Sequence, residues 1–183
     1  NRDLAQASSK QLSESQLNRL RLDEGRLRSM ADDVSTLADL PDPIGETLEE
    51  RILPNGLNVR RVRVPLGVVG FIYESRPNVT VDIASLCLKS SNGVLMRGGS
   101  ESLNSNRALV KIIHRAVEHC GITKQFLQFV DSSERNTIKE IINIPIKSSP
   151  ILGSKATIMT PINAENMRIH FLIFIFSFKK IKL

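Results

Sequence analysis

The sequence predicts an α/β protein: a short parallel sheet with helical crossovers, entered through N-terminal helices and a β-hairpin arm. Three observations lead there. A continuous apolar run at 68–73 has the texture of a strand covered on both faces, 93–96 reads as a second short buried strand and 126–130 as a third. Between them, 78–89 and 101–120 carry apolar residues at helical spacing. Strands alternating with helices of this length require parallel pairing and right-handed crossovers.

Residues 3–40 are polar with Leu17, Leu20, Leu27, Val34 and Leu37 at helical steps, which predicts one or two amphipathic helices. Leu40-Pro41-Asp42-Pro43 ends them, because proline pushes the preceding residue out of the helical basin. Pro54-Asn55-Gly56 is a turn signal between two β-prone arms, so 49–64 reads as a hairpin. Its second arm alternates apolar and charged residues, which predicts one buried face. In 78–89, Val81, Ala84 and Leu88 mark the inner side of a helix. In 101–120, Leu109, Ile112, Ile113, Ala116 and Val117 do the same, and Gly121 closes that helix. A third helix is expected at 133–142, completing the order β-α-β-α-β-α. Beyond 142 the pattern stops: prolines at 145, 150 and 161 leave no sustained period, and 169–178 is rich in Phe and Ile. The expected organisation is one unit over 1–142 and a divergent tail over 143–183. An uncharged β-prone run such as 169–178 is an aggregation hazard.

Composition narrows the function classes. The 183 residues are 41% apolar and 24% charged, as in a globular chain. Two cysteines exclude a disulfide scaffold and a four-thiolate zinc site. No Trp and one Tyr argue against an aromatic nucleic-acid platform. The apolar run at 169–178 is broken by His170 and Ser177 and falls far below the ~20 residues of a membrane span. No signal peptide opens the chain, and its first residue is Asn rather than Met, which suggests a cut or processed start. The net charge of +6 is misleading. Six basic residues and one acid lie in 143–183, so 1–142 holds nineteen basic and eighteen acidic residues and is nearly neutral. Within it only Arg60, Arg61 and Arg63 cluster, as a solvated strand would have them. Neither a nucleic acid nor a membrane is an expected partner.

Neither of the two common phosphate-loop motifs occurs. Arg97-Gly98-Gly99-Ser100-Glu101 instead joins a strand end to a helix start. Two glycines permit close backbone approach, a helix N-terminus supplies N–H groups, and Arg97 adds charge, which together suit a nucleotide phosphate or ribose. An ordinary βα turn with Ser100 as N-cap accounts for the same residues. Asn78 leaves the first parallel strand at the same sheet edge. It suits an oxyanion donor or a helix cap equally well. The Asn78-Val79-Thr80 glycosylation sequon is set aside, since nothing suggests secretion. His114, His119 and Cys120 lack metal-ligand spacing and read as a solvated helix end. Cys87 lies late in an apolar helix, the wrong end for a nucleophile.

These residues carry a resemblance. Leu40-Pro41-Asp42-Pro43-Ile44-Gly45-Glu46, Pro54-Asn55-Gly56-Leu57, 64–70, 73–82, 86–90, and 97–109 resemble gamma-glutamyl phosphate reductase, also called glutamate-5-semialdehyde dehydrogenase, in the aldehyde dehydrogenase superfamily. The likeness covers about residues 15–142. It implies a partial Rossmann-like cofactor domain and NADPH-dependent reduction of L-glutamyl 5-phosphate to the 5-semialdehyde, in cytoplasmic proline biosynthesis. It implies that Asn78 helps hold the oxyanion and that Arg97, Gly98, Gly99, Ser100 and Glu101 contact the adenosine ribose of NADP. It implies that the 49–64 hairpin belongs to an oligomerisation arm, hence a homo-oligomer. The family's catalytic cysteine lies in a second domain past the end of the likeness, and neither Cys87 nor Cys120 matches it. The expectation is an amino-terminal part that is inactive alone; the alternative is a non-catalytic nucleotide-binding or interaction fragment.

Overall fold

Two caps divide the N-terminal region into more pieces than its leucine spacing suggests. The structure, a computed structural model, describes residues 2–9, 12–132 and 134. It has three helices before residue 40, not one or two: α1 (Arg2–Ser9), α2 (Glu14–Leu20) and α3 (Glu24–Asp39). Ser13 starts α2 through a capping box with Gln16, whose side chain accepts from the Ser13 N–H at 2.9 Å. Asp23 starts α3 by accepting from the Arg26 N–H at 2.9 Å. Arg26 then reaches back, donating to the carbonyls of Asn18 and Arg21, so the end of α2 is held against α3. Leu20 and Met30 are buried, whereas Leu27 is exposed. Helix α3 stops at Asp39, as Pro41 requires.

The hairpin pairs β1 (Thr47–Ile52) with β2 (Asn58–Val62) antiparallel. Gly56 takes φ +83° in the turn, a left-handed conformation that glycine adopts without strain. Charge sets the cross-strand pairs: Glu49 lies opposite Arg61 and Glu50 opposite Arg60. Arg63 forms a 2.7 Å bridge to Glu46. Among the described residues the expected buried face is not formed. Both strands are exposed almost throughout, with Ile52 74% accessible.

The parallel sheet is as expected: β3 (Val68–Ile72), β4 (Gly93–Arg97) and β5 (Leu127–Phe129) lie in that order. Between them run α4 (Pro77–Lys89) and α5 (Leu103–His119), with one 3-10 turn at Ser100–Ser102 and another at Lys124–Phe126. Sequential strand order with right-handed crossovers puts both helices on one face. The register stacks Val69, Val94 and Leu127 in one row and Phe71, Met96 and Phe129 in the next. Those rows pack against Ile83, Ala84 and Cys87 of α4 and Val110 and Val117 of α5. Full cover on both faces is therefore not found among the described residues. On the opposite face Val68, Ile72 and Leu95 are half-buried and Gln128 is exposed.

The α4 stripe is rotated from the expected one, and the α5 stripe keeps Leu109, Ile113 and Val117 but not Ile112 and Ala116. The inner side of α4 is Thr80, Ile83, Ala84 and Cys87, while Leu88 is exposed. The inner side of α5 is Asn106, Leu109, Val110 and Val117; Ile112 and Ala116 face outward. Gly121, at φ +73°, ends α5, with the Ile122 N–H donating to the Val117 carbonyl at 2.9 Å. The expected third helix at 133–142 and the 143–183 tail lie outside the described residues.

The two helical stripes bring polar groups into the core, where they form one directed chain. The Thr80 hydroxyl donates to Asn106 Oδ1 at 3.0 Å, so its contact with the Tyr73 hydroxyl at 2.7 Å must be one it accepts. Asn106 Nδ2 donates to Ser102 Oγ at 3.1 Å, and Ser102 Oγ donates to the Gly99 carbonyl at 3.2 Å. Thr80, Asn106 and Ser102 are fully buried. Burial pushes the Tyr73 phenol from 10.0 up to about 12 and the Cys87 thiol from 9.0 to about 11. In both cases the unfolded chain ionises first, so this stabilisation is whole below pH 9 and is lost as pH rises through about 11 and 12. Melting temperature should fall steadily over that window, and Tyr73→Phe should flatten its upper part. The effect is measurable because a tenfold difference in proton affinity between folded and unfolded chain is worth ~1.4 kcal/mol.

Candidate functional site

In an open parallel sheet the loops leaving the carboxyl ends of the strands form the natural ligand edge. Here those are 73–77 after β3 and 98–102 after β4. Arg97, the last residue of β4, is 8% exposed. Its Nε has no hydrogen-bond partner, and Arg97 forms no salt bridge among the described residues. A buried N–H without a partner is costly, and an anion or polar ligand would satisfy it.

Gly98 and Gly99 are required by the fold itself. A Cβ on Gly98 would lie 2.3 Å from Asn106 Nδ2 and 3.0 Å from the Tyr73 ring. One on Gly99 would lie 2.0 Å from Ser75 Oγ and 2.9 Å from the Ser75 backbone nitrogen. Both glycines let the loop approach the protein itself. Gly99→Ala should cost about 1–3 kcal/mol, as overpacking does. Ser75→Ala in the same chain should restore only part of it, because the backbone nitrogen stays. Urea denaturation of the single and double variants measures both.

Ser100 begins the 3-10 turn but makes no side-chain cap; Gly99 precedes that turn, and Ser102 precedes α5. Glu101 accepts a short hydrogen bond from Ser75 Oγ, which clamps the two loops together. The open helix N-terminus expected here is closed. Asp3 of α1, 1% exposed, accepts from the Asn104 N–H at 3.1 Å and the Ser105 N–H at 2.6 Å, and from both of their side chains. A carboxylate at that position also complements the helix dipole. Asp3→Ala should destabilise by about 1–3 kcal/mol and raise hydrogen exchange at the Asn104 and Ser105 amides.

Asn78 is not the helix cap. Arg76 precedes α4, Pro77 takes its first position, and Asn78 follows inside the first turn. Its side chain is exposed, with Nδ2 donating to Asp82 Oδ2 at 3.3 Å. Burial first, and the nearby Asp33 carboxylate second, hold the Asp82 carboxyl above its ordinary range; the Asn78 bond partly offsets them. Asn78 opens onto a cleft of about 340 Å³ between α2, α3 and the start of α4, which Arg21, Arg26, Arg76 and Asp33 also line. The structure thus puts Asn78 and the 97–101 loop at one sheet edge, bridged through Ser75 and Glu101, with no direct hydrogen bond between them.

His114 is no solvated ligand candidate: its Nε2 lies 3.0 Å from the Leu127 carbonyl, which can only accept, so it donates and ties α5 to β5. No group of three or more His, Cys, Asp or Glu suited to a metal ion occurs among the described residues. No helix among them is long and apolar enough to cross a membrane. Sequence reasoning missed Thr80, Ser102 and Asn106; polar residues on an apolar helical stripe were the available signal. It also missed Asp3, for which no local signal exists, and the cleft arginines.

No family model matches the chain. Its fold is that of the aldehyde dehydrogenases. A probable aldehyde dehydrogenase from Listeria monocytogenes superposes with a TM-score of 0.54 at 18% identity, over 81% of this chain and 31% of that one, a likeness of fold alone. Nearer relatives narrow the class. Gamma-glutamyl phosphate reductase of Enterobacter is 47% identical over 142 residues, which is 78% of this chain and 34% of that protein. The crystal structure of gamma-glutamyl phosphate reductase from Thermotoga maritima matches with a TM-score of 0.74 at 41% identity, over 76% of this chain and 34% of that one. The chain belongs to the gamma-glutamyl phosphate reductase family and spans about a third of the length of the curated relatives it matches.

Proposed function

We propose that residues 1–142 are the nucleotide-handling unit of a cytoplasmic reductase of proline biosynthesis, which converts L-glutamyl 5-phosphate to the 5-semialdehyde with NADPH. The observation that carries this reading is Arg97: a buried guanidinium with an unpartnered Nε at the carboxyl end of the central strand. That environment fits the anionic ribose-phosphate part of a dinucleotide, and Arg is suited to planar, bidentate phosphate contacts. Ser100 and Glu101 would meet ribose hydroxyls. Glu101 is held at that edge by its bond from Ser75. Gly98 and Gly99 keep the loop pressed down on Ser75 and Asn106, leaving its outer side for the ligand. Asn78, exposed at the neighbouring loop, would direct its amide at the substrate's carbonyl oxygen.

When bound, the cofactor supplies the hydride. The acyl-accepting sulfur of the family chemistry is neither thiol of this chain. Cys87 is buried and pushed up to about 11, so it is protonated at neutral pH. Cys120 is exposed at the C-terminal end of α5, away from the ligand edge of the sheet. Calorimetric titration of NADP⁺ into the full chain tests the proposal. Saturable binding that Arg97→Met weakens is expected; absence of binding, or an unchanged affinity in the variant, would overturn it.

A second reading concerns the hairpin. Ile52, Leu57, Val64 and Leu66 are exposed on or beside an arm that buries neither face, which favours a homo-oligomeric contact there. Sedimentation of the chain and of Ile52→Lys decides this. The contact predicts an oligomer that the substitution dissociates.

A further inference from the structure

Resting on the reductase reading, we infer that the cleft between α2, α3 and the start of α4 holds the α-amino-acid head of the substrate, its carboxylate on arginine and its ammonium on Asp33. The cleft lies beside Asn78, and Arg97 is not among its lining residues, so it is separate from the nucleotide contacts. Its volume of about 340 Å³ sits at the small end of ligand sites.

Its charges are unevenly committed. Arg26 is used structurally, donating to the Asn18 and Arg21 carbonyls and to Asn18 Oδ1. Arg19 leans on Glu74 at 3.5 Å. Arg76 is different: its Nε is buried with no hydrogen-bond partner. The exposed Arg21 side chain makes no hydrogen bond or salt bridge among the described residues. Two arginines with uncommitted donors, one of them with a buried Nε, lining a shared hollow make a carboxylate or phosphate clamp. A plain anion sink would not need Asp33, the acid on the same wall. Cations and a carboxylate across one small cleft match a zwitterion. Asp33 also repels Asp82, so an ammonium bound there relieves a repulsion between two carboxylates. The placement is chemically coherent: with the head group in the cleft, the side chain of an α-amino acid runs past Asn78 towards the sheet edge.

The test follows backbone amide shifts of the full 183-residue chain while L-glutamate, glutarate and inorganic phosphate are titrated in turn, with NADP⁺ as a separate arm. L-Glutamate should shift the amides of Arg21, Asp33, Arg76 and Asn78 saturably. Arg21→Ala, at an exposed position, should weaken it about tenfold or more, as loss of a charged hydrogen bond does. Asp33→Asn should weaken L-glutamate and leave glutarate unchanged, a split that a merely structural role would not produce. Glutarate or phosphate binding as tightly as L-glutamate would overturn the assignment, as would L-glutamate leaving the cleft amides unmoved. If NADP⁺ still shifts residues around Arg97 in that case, the head-group assignment alone falls. If NADP⁺ shifts nothing while L-glutamate binds, the nucleotide reading falls instead.

Discussion

Asn106→Ala is expected to lower the stability of the chain by about 3–5 kcal/mol. Asn106 is fully buried at the first inward position of α5, where it accepts from Thr80 and donates to Ser102. Removing its amide leaves the Thr80 hydroxyl without an acceptor and the Ser102 oxygen without a donor, in a place water does not reach. Each orphaned group costs ~1–3 kcal/mol, and the cavity adds to it. A loss of about 3–5 kcal/mol is large against the ~5–15 kcal/mol that holds an ordinary domain together. The effect also spreads, because the chain of donors ends on the Gly99 carbonyl and so reaches the ligand loop. Thr80→Val removes a hydroxyl at constant shape and should cost less, about 1–3 kcal/mol. Urea denaturation compares the two. Equal midpoints for Asn106→Ala and the unsubstituted chain would show that the buried chain of hydrogen bonds carries no stability.

That same residue shows where sequence patterns stop being legible. The sheet was readable because 68–72, 93–97 and 127–129 are short apolar runs with no competing period. The helices between them were readable in extent, but α4 was wrong in phase and α5 only partly right. Apolarity alone put Val81 and Leu88 inward, yet α4 turns Thr80 inward because Tyr73 and Asn106 are there to satisfy it. Tertiary polar partners, which no local window contains, decided the rotation. The split of 3–40 into three helices is local information that leucine spacing does not carry: Ser13 with Gln16, and Asp23, are recognisable start signals. The hairpin was readable from Pro54-Asn55-Gly56, but alternation implied a buried face for which the described residues provide no cover. At the candidate site, the residue types at 97–101 pointed to the sheet edge where the unpartnered guanidinium lies. The need for two glycines there came from Ser75 and Asn106, which approach across the fold. Asp3 closing a helix about a hundred positions away is beyond any spacing rule.

Arg97→Met should move stability and affinity in opposite directions, which separates a ligand group from a structural one. Arg97 ends the central strand with its guanidinium buried and its Nε unpartnered. In the ligand-free chain that is a net cost, since burial removes hydration and no carboxylate replaces it. Methionine has similar length, fills irregular space and carries no charge. The substituted chain should therefore melt higher, by the equivalent of about 1–3 kcal/mol, within the range found when buried ionic groups give way to apolar ones. Its NADP⁺ affinity should fall about 10- to 100-fold, the worth of a charge-assisted contact. Arg97→Lys keeps the charge without the fork, so its affinity should lie between the two. A residue needed for folding would behave otherwise: Arg97→Met would melt lower, and nucleotide affinity would follow stability down. A higher melting temperature together with weakened binding is the pattern of a cation kept buried for its ligand at the expense of the unliganded fold. Thermal melts and calorimetry on the same three proteins are sufficient to tell the two patterns apart.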